Sequence, residues 1–564
     1  MEVEIHLENP FFSWTQTEGN TLRCWLKGDL FYNGSLLDGP GLVSLFSSLP
    51  SSAALFHTAL NDLLSEFNGS FALVLETRDI VLCVVDRIRS IPLFYAITDT
   101  RFIVADDANY IVDQMKLPFN EKNGAEFLVT GFVTGHETLF EGIEQIRGGE
   151  YRSYSKNDHL ITPFVYHRFW HKDFFSGSEE ELLKHLDEVF IHVFQRLIAS
   201  TKRKGFQIVV PLSGGLDSRI IVAMLKRLGV EDVICFSYGK KGNHEAEISK
   251  KVAEALGYQW YFVEYTHDKW HQCYHSDEAS VYERYAGNVS TLPHFQDFLA
   301  VKELKETGKI PKNAVFIPGH SGNLIAGDCL PRKILNMSFT RDQFITYSLR
   351  EHYVLWPWNE RGGEDLRALF QQKILQSVGD IDIHNAESMA NAIEYFNGYE
   401  RQGKFIVNSV RVYEFFGYTW RIPFWDAELM DFFLKVPLKY RMRYTDRYLY
   451  MQYAKNVLFI ENRKKLHDIE CTTEIEYVPN NTFKKKCETM IDNNKIVERF
   501  WLQFYFFKKR LFTYNHDPYY GMIQKEKFLK FYSGKQILNS FLAMNYLEKF
   551  TPVPLDLLRI KKRF

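Results

Sequence analysis

The chain has 564 residues, of which 46% are hydrophobic and 24% are charged, a composition typical of about two to four globular domains. The formal net charge of −2 excludes a global field toward nucleic acid or anionic lipid, and no segment approaches the roughly 18 consecutive apolar residues of a membrane span. Seven cysteines without a Cys-x-x-Cys spacing exclude a disulfide framework or a zinc knuckle and favour reduced, structural thiols.

The N-terminal region shows short alternating apolar runs separated by turn residues, which predicts a mostly β domain over residues 1–175. A polar stretch at 176–182 follows it, and residues 176–564 form the second predicted domain. The predicted strands of the first domain are 22–25, 28–32, 71–76, 80–85, 93–97 and 102–105.

From residue 206 the pattern changes to buried strands that alternate with amphipathic helices, which predicts an α/β fold with a doubly wound parallel sheet. Asn243 is a predicted helix N-cap, and Gly257 is the predicted end of that helix. From residue 339 onward the pattern predicts mostly helices, which would form a wall of the acceptor site. The predicted order is strand 206–210, helix 220–228, strand 233–238, helix 243–256, strand 260–265 and strand 314–317.

A phosphate-binding loop is predicted between the first strand and the first helix of this sheet. Gly214 and Gly215 let backbone N–H groups close on a phosphate oxygen, and the helix N-terminus behind them adds a favourable dipole. The hydroxyls of Ser213 and Ser218 are further donors. Asp217 would repel a bare phosphate, so its presence predicts Mg²⁺ between the carboxylate and the pyrophosphate of ATP. Because the chain lacks a Gly-x-x-x-x-Gly-Lys-Ser/Thr string, we expect cleavage between the α and β phosphates.

A second loop, residues 318–323, follows the fourth predicted strand, and ligands of such sheets collect at the carboxyl ends of strands. The phosphate loop, the strand end at 237–239 and the segment 421–426 together resemble the asparagine synthetase family. Residues 67–72 and 86–95 are similar to the glutaminase domain of that family. The resemblance covers most of the chain. It implies an Ntn-like αββα domain followed by an adenine nucleotide α-hydrolase-like (PP-loop ATP pyrophosphatase) domain with C-terminal helices.

The resemblance also implies an ATP site. Asp217 is the implied magnesium ligand, and Asn323 stands where the family has a metal-binding Asp and offers a weaker, neutral oxygen. Arg447 falls near a family lysine that neutralises charge in the transition state, with Arg441 and Arg443 as alternatives for that role. The implied nucleotide contacts are Leu212, Ser213, Gly214, Gly215, Leu216, Asp217, Ser218, Ser237 and Gly319.

His320 stands where the family has a substrate-reading Glu, so the attraction for an α-ammonium group is lost and aspartate is disfavoured as the acceptor. Its His-Ser-Gly string and the segments 400–405 and 408–413 resemble the branch associated with bacterial surface-polysaccharide clusters. That branch implies a uronic acid sugar, linked to a nucleotide or to a lipid, as the carboxylate substrate. For His320 a general base, a substrate contact and a hydrogen-bonded structural residue all stay open.

Two arginines of those segments are candidate anion ligands. Arg401 and Arg411 are suited to bidentate binding of a carboxylate or of a nucleotide-sugar phosphate. The alternative is that they form structural ion pairs with Glu400, Glu414 or Asp426.

The glutaminase-like region lacks the expected nucleophile. Enzymes of this type use an N-terminal cysteine whose own amine is the base, whereas position 2 is Glu2, Cys24 is internal and Cys83 lies in an apolar strand. We therefore expect no glutamine hydrolysis by this domain, and ammonia or an amine as the nitrogen donor.

The predicted activity is that of an ATP-dependent carbon–nitrogen ligase that activates a carboxylate as an acyl-adenylate and releases AMP and pyrophosphate. The alternatives are asparagine synthetase proper and a catalytically weak ATP-binding scaffold. We expect a cytoplasmic bacterial protein without a nucleic-acid partner, and a homodimer is a candidate assembly. The basic and aromatic segments 501–512 and 559–564 leave a peripheral position at the inner membrane open.

Overall fold

The computed structural model describes the whole chain except residues 51, 337–338, 357, 359–363, 443–446, 462–465, 467, 472–511, 532–536 and 552–564. Within the described ranges, no helix has both the length and the apolar character that crossing a bilayer requires. Segment 559–564 and all of 501–512 except Phe512 lie outside the described residues.

The N-terminal region consists of two β-sheets with helices on their outer faces. One sheet has the order β1-β8-β7-β9, and the other has the order β11-β10-β6-β5-β3-β2 with β4 paired to β3. The strands are β1 (Glu2–His6), β2 (Thr15–Glu18), β3 (Leu22–Tyr32), β4 (Ser35–Leu36), β5 (Asn68–Thr77), β6 (Ile80–Val85), β7 (Phe94–Ile97), β8 (Arg101–Ala105), β9 (Ile143–Gln145), β10 (Glu150–Ser155) and β11 (Ile161–Val165). The helices are α1 (Gly39–Ser47), α2 (Ala53–Ser65), α3 (Ala108–Met115) and α4 (Glu121–Thr130).

The layered arrangement of the N-terminal region follows from the alternation of apolar side chains between the two faces of β5. Leu73 and Leu75 join the apolar cluster that contains residues of α1 and α2, whereas Ala72 and Val74 join the cluster shared with the second sheet. Because successive side chains of a strand point to opposite faces, one strand can fill two cores. The expected αββα arrangement is confirmed.

The two predicted strands at 22–25 and 28–32 form one continuous strand, β3. Gly28 lies between them with a φ of +93°, and an added Cβ would meet the Ser70 carbonyl oxygen at 2.1 Å. Only glycine permits this close backbone approach, so the strand continues through the point where the sequence indicated a break.

The C-terminal region is built on a parallel sheet with the order β14-β13-β12-β15-β16, in which all four pairings are parallel, so the predicted doubly wound sheet is confirmed. Its strands are β12 (Gln207–Pro211), β13 (Val233–Gly239), β14 (Gln259–Glu264), β15 (Ala314–Phe316) and β16 (Thr419–Trp420). The helices up to the second loop are α5 (Glu179–Arg203), α6 (Leu216–Arg227), α7 (His244–Leu256), α8 (His267–Tyr274), α9 (Asp277–Gly287), α10 (Phe298–Glu306) and α11 (Gly322–Ile325).

Helix ends follow local capping chemistry. Asn243 accepts a hydrogen bond from the N–H of Glu245 at the start of α7, and Gly257 ends that helix with a φ of +74°. Helix α5 begins with a capping box between Ser178 and Glu181. Helix α6 begins at Leu216 rather than at residue 220 as predicted, so the end of the phosphate loop is the first helical turn.

The described part of the chain after residue 339 is mostly helical, as predicted. It contains α12 (Arg341–His352), α13 (Glu364–Val378), α14 (Ala386–Phe396), α15 (Arg411–Phe415), α16 (Ala427–Leu434), α17 (Leu438–Arg441), α18 (Tyr448–Tyr453), α19 (Phe459–Glu461), α20 (Lys525–Phe531) and α21 (Ile537–Leu547). A π-helix, Asn397–Ile406, continues α14 and contacts both regions. Its Glu400 accepts the Gly135 N–H, while its Arg401 lines a cleft in the C-terminal region.

Candidate active site

The phosphate loop joins β12 to α6 and presents an uncapped helix N-terminus. The Oγ atoms of Ser213 and Ser218 lie 3.0 Å apart, and the Gly215 N–H donates to Ser213 Oγ at 3.2 Å. No side chain caps α6 at Gly215, so the N–H groups of the first turn remain available to an anion. Leu212 and Leu216 are buried and anchor the loop. This arrangement fits the pyrophosphate of ATP.

The second loop approaches the phosphate loop at two glycines. A Cβ added to Gly319 would lie 2.9 Å from the backbone nitrogen of Ser218, and one added to Gly322 would lie 2.9 Å from the carboxyl carbon of Asp217. Ser321, between them, has a φ of +66°, a region that glycine enters more readily than serine. The two loops predicted at the carboxyl ends of β12 and β15 are therefore in contact.

Ser237 is buried near the end of β13, beside the phosphate loop. The neighbouring residue, Phe236, accepts a backbone hydrogen bond from the Leu212 N–H at 2.8 Å. Strand β13 is the neighbour of β12, so Ser237 lies at the same sheet edge as the loop.

Asp217 lies in the first turn of α6 and is held by a residue that the sequence did not single out. Its Oδ1 accepts a hydrogen bond from the Tyr450 hydroxyl at 2.8 Å. Burial raises the pKa of Asp217 to about 6; Arg447 and the Tyr450 hydroxyl oppose this rise, and the negative charge of Asp328 adds to it. A carboxylate that is poorly hydrated and electrostatically coupled to a second carboxylate fits a divalent cation.

Both ends of the Asn323 amide group make hydrogen bonds within the second loop and the residues just after it. Its Nδ2 donates to Asp328 Oδ2 at 2.9 Å, and its Oδ1 accepts the Leu324 N–H at 3.0 Å. The amide oxygen keeps a second lone pair, so its role as a metal ligand stays a prediction. The sequence interpretation had this loop without a carboxylate, and it missed Asp328, which lies five residues further on.

Arg447 is only 8% exposed and has a φ of +60°. Its Nε lies 3.8 Å from Asp328 Oδ1 and has no hydrogen-bond partner. Of the two alternatives for its role, Arg441 is fully buried in an ion pair with Glu394 at 2.5 Å, and Arg443 lies outside the described residues. Of the two arginines of this group that the structure describes, Arg447 is the one that contacts the site.

His320 is a neutral side chain in this environment. Burial lowers the pKa of His320 to about 4, and nearby His294 lowers it further while Asp297 opposes the change. Ser409 Oγ lies 3.1 Å from its Nδ1. An imidazole with this pKa is a weak proton acceptor, so the geometry favours a hydrogen-bonding role over that of a general base.

A polar cleft of about 250 Å³ opens beside the second loop, close to the lower end of the range for small-molecule sites, about 300 Å³. Arg401 lines it, and no acidic partner pairs with this guanidinium in the part of the chain that the structure describes. The other lining residues are Asn323, Leu324, Asp328, Cys329, Tyr347, Glu351, His352, Asn397 and Gln402.

Arg411, by contrast, forms a buried ion pair. Its Nη1 lies 2.6 Å from Glu414 Oε2, and its Nη2 donates to the Ser90 carbonyl. The structural ion pair that the sequence left open is thus correct for Arg411, and the cleft retains one of the two candidate arginines.

Both N-terminal thiols are packed in the core. Cys24 and Cys83 are each 1% exposed, and burial raises the pKa of each thiol to about 12. A thiol with this pKa is protonated at neutral pH and is a poor nucleophile.

A layered Ntn-like domain followed by a PP-loop nucleotide site defines the class of glutamine-amidotransferase-linked, ATP-using synthetases. The asparagine synthase family matches residues 191–466, and the glutamine amidotransferase domain matches residues 53–193. These two domain matches support a relationship to the asparagine synthetase family. The asparagine synthase domain indicates an ATP-dependent carbon–nitrogen ligase.

One relative is a probable glutamine-hydrolysing asparagine synthetase of Acanthamoeba polyphaga mimivirus, 26% identical over 138 residues. That match covers 21% of this chain and 24% of the relative.

Solved structures give distant matches. A Bacillus subtilis glutamine PRPP amidotransferase complexed with ADP and GMP matches at 11% identity and a TM-score of 0.20, over 45% of this chain and 72% of its own. A glutamine-dependent NAD⁺ synthetase from Acinetobacter baumannii matches at 14% identity and a TM-score of 0.17, over 40% and 42%. These TM-scores are too low to support the fold assignment. The assignment is supported instead by the strand order and by the two domain matches.

Proposed function

We propose that the chain forms amides from a substrate carboxylate at the expense of ATP. The carboxylate attacks the α-phosphorus, pyrophosphate leaves, and ammonia or an amine then displaces AMP from the acyl-adenylate. Ser213, Gly214, Gly215 and Ser218 bind the pyrophosphate, and Leu216, Ser237 and Gly319 complete the nucleotide site. The observation that carries this proposal is the uncapped start of α6 beside the polar cleft.

Asp217 is the proposed ligand of Mg²⁺, which neutralises phosphate charge when it is bound. Arg447 lies at the same carboxylates, and its unpartnered Nε is suited to a phosphate oxygen of the leaving group. Both groups would stabilise charge that grows on pyrophosphate as it departs. No described cluster of three or more His, Cys, Asp and Glu side chains suggests a different metal centre.

The proposed acceptor is a uronic acid sugar, linked to a nucleotide or a lipid, in bacterial surface-polysaccharide synthesis. Arg401 offers an unpaired guanidinium for its carboxylate, and amide and hydroxyl groups of Asn397, Gln402 and Tyr347 are suited to sugar hydroxyls. His320, being neutral, contributes a hydrogen bond rather than a charge.

We further propose a division into domains at residues 175 and 176.

The nitrogen donor is proposed to be free ammonia or an amine. The buried thiols Cys24 and Cys83 support the absence of glutamine hydrolysis by the N-terminal domain. Aspartate as the acceptor and an ATP-binding scaffold are the competing functions, and one assay separates the three.

The assay follows AMP and pyrophosphate release from ATP and Mg²⁺ with a panel of acids, including aspartate and nucleotide-linked uronic acids, and with ammonium or glutamine as donor. We expect AMP only with a uronic acid and ammonium, and its loss in Asp217→Asn. The matched control is Asp382→Asn, because the side chain of Asp382 is 90% exposed. Turnover of aspartate would identify asparagine synthetase proper, and ATP binding without AMP from any acid would favour the scaffold.

A further inference from the structure

The π-helix that continues α14 supplies one wall of the polar cleft. Its backbone hydrogen bonds join residues five positions apart, a rare geometry that frequently marks functional sites. This spacing brings residues four and five positions apart onto one face, and Asn397, Arg401 and Gln402 all line the cleft. Glu400 and Lys404 instead contact the N-terminal region. The π-helix therefore separates the residues that join the two regions from those that face the cleft.

Three polar side chains of the cleft lack hydrogen bonds within the described ranges: the Asn397 amide, the His352 ring and the Arg401 guanidinium. Asn397 and His352 are only 6% and 8% exposed, and the Asn397 Oδ1 and His352 Nδ1 atoms are buried. Arg411, by comparison, lacks a partner at its Nε alone, since both of its terminal nitrogens are paired. Buried polar groups are rarely left unsatisfied, so three such side chains around one cleft indicate a ligand.

The charges that line the cleft leave Arg401 without a countercharge. Asp328 Oδ1 lies 3.8 Å from the Nε of Arg447, and Glu351 Oε1 lies 3.1 Å from the Nε of Arg350. Arg401 is thus the lining charge that no ion pair balances in the part of the chain that the structure describes. One unpaired guanidinium fits a ligand that carries a single carboxylate.

Two neutral groups near Arg401 determine what can lie next to that carboxylate. Burial lowers the pKa of His352 to about 3, and the Arg401 charge lowers it further, so the imidazole is neutral. A neutral imidazole and the Asn397 amide each contain both a donor and an acceptor. A hydroxyl group also donates and accepts, so it can pair with either side chain. An ammonium group only donates, and the Arg401 charge would repel it.

The same face of the π-helix is joined to the second loop. Gln402 Oε1 accepts the Ser321 hydroxyl at 2.8 Å, and Ser321 lies between Gly319 and Gly322, which approach the phosphate loop. A carboxylate bound at Arg401 would therefore lie next to the residue that contacts the second loop, on the side from which ATP must be attacked.

We propose that Asn397 and His352 are specificity-determining residues of the acceptor cleft, which recognise a hydroxyl group next to the carboxylate that Arg401 binds. This inference rests on the proposed function, in which the cleft holds the acceptor acid. It restricts the acceptor to hydroxylated acids with one negative charge in the cleft, and it assigns that restriction to two neutral side chains.

The test compares ligands of one ring size and does not depend on turnover. Glucuronate carries a carboxylate and hydroxyls, cyclohexanecarboxylate carries the carboxylate alone, and methyl glucoside carries hydroxyls alone. Each is titrated into the full-length chain with Mg²⁺ and a non-hydrolysable ATP analogue, and binding is measured by ligand-observed nuclear magnetic resonance. We expect the parent chain to bind glucuronate about 10- to 100-fold more tightly than either of the others. Equal binding of the two acids would overturn the inference.

Variants assign the preference to particular side chains. Asn397→Leu keeps the approximate size and removes the amide, and His352→Phe keeps a ring against Phe396, whose ring lies 5.4 Å away. We expect each to reduce the ratio of the two acid affinities by about 5- to 10-fold, because only glucuronate loses a hydrogen bond. Arg401→Gln should weaken both acids to a similar extent and leave the ratio unchanged. Asn157→Leu, at an exposed position of the N-terminal region, is the control.

A parent-like ratio in both Asn397→Leu and His352→Phe would contradict the inference. The ratio also distinguishes recognition from a folding defect, since damage to the fold would weaken both acids together and leave their ratio unchanged.

The outcomes separate this inference from the proposed function. The expected ratios, together with no AMP from any acid, would support the recognition site and refute the ligase activity. AMP formation from a uronic acid, with ratios that do not depend on Asn397 or His352, would do the reverse. A parent chain that binds neither acid would refute the recognition site, whereas AMP release tests the ligase activity by itself.

Discussion

The N-terminal and C-terminal regions differ in whether their candidate chemical groups are buried or accessible to a ligand. The N-terminal region keeps two packed sheets, whereas its thiols at 24 and 83 are buried and protonated. The C-terminal region keeps the complete loop 212–218 with an uncapped helix behind it. Glutaminase chemistry depends on a single thiolate, so one replacement removes it.

The proposed nucleotide site is distributed over several backbone and side-chain groups of two loops. Asn323 in the second loop donates its amide N–H to the Asp328 carboxylate, whereas Cys24 and Cys83, the described cysteines of the N-terminal region, are both buried. A core needs only packed side chains, whereas a chemical site also needs groups that a substrate can reach.

The largest effect is expected where the two regions meet. Glu400 accepts the Gly135 N–H at 3.0 Å and pairs with Lys404 at 2.5 Å, fully buried. Glu400→Gln leaves that lysine and Arg147 without their countercharge and should lower the free energy of unfolding by about 3–5 kcal/mol at pH 7. Urea unfolding measures the loss, with exposed Glu254→Gln as the control. An unchanged midpoint would show that the two regions do not depend on this contact.

Glu400 also makes the stability of the protein depend on pH. Burial alone would raise the pKa of Glu400, but Lys404 and Arg147 outweigh it and hold the pKa at about 2, against an ordinary value of 4.5 for a glutamate. Its stabilisation is therefore complete above about pH 4.5 and is lost as the pH falls toward 2. The stability difference between the parent and Glu400→Gln should shrink across that interval in acid titrations, and a constant difference would contradict this assignment.

The next effect concerns the nucleotide site. Asp217→Asn keeps the shape but removes the charge that the cation needs, and we expect a fall of about 100- to 1000-fold in pyrophosphate release. Parent-like release would mean that Asp217 is a structural partner of Tyr450 only. Asp382→Asn is the matched control, since it changes the same group on the surface.

A smaller effect is expected for Arg401, the candidate arginine that lines the cleft. Arg401→Ala should raise the KM for the acceptor by about 10- to 100-fold, since a charge-assisted hydrogen bond is worth about 1.5–3 kcal/mol, while the KM for ATP stays unchanged. Exposed Arg284→Ala is the control. A rise in the KM for ATP instead would move Arg401 to the nucleotide site.

The smallest effect is expected in the N-terminal core. Cys24→Ala and Cys83→Ala should leave ammonium-dependent AMP formation unchanged, because neither thiol reaches the nucleotide site and both are protonated. Steady-state rates with saturating ammonium measure this. Glutamine hydrolysis that disappears in either variant would contradict the inactive glutaminase.

Much of the fold could be predicted from the sequence, because strands, helix caps and turns depend on residue types in short segments. The strands of the parallel sheet, the Asn243 cap and the position of the two loops at the carboxyl edge of the sheet all followed from apolar periodicity and turn residues. Strand β3 and the start of α6 were misplaced by a few residues, because Gly28 allows a continuous strand and the loop itself supplies the first helical turn.

The roles of individual side chains were harder to predict from the sequence, because each role depends on partners that are far away along the chain. The Arg401 and Arg411 side chains look alike in sequence, yet Arg411 meets Glu414 and Arg401 faces the cleft. The Tyr450 hydroxyl reaches Asp217 from 233 residues away, and no sequence pattern linked them.

The sequence by itself determined the fold class, the phosphate loop and the unsuitability of the N-terminal thiols, because each depends on residue types in short, contiguous segments. Tertiary structure alone decided which carboxylate stands beside Asp217 and which arginine is unpaired. Gly327 returns Asp328 to the loop, and long-range packing determines whether a charge meets a partner or opens to the cleft. Charges act across space, so their roles follow from distances that only the folded chain defines.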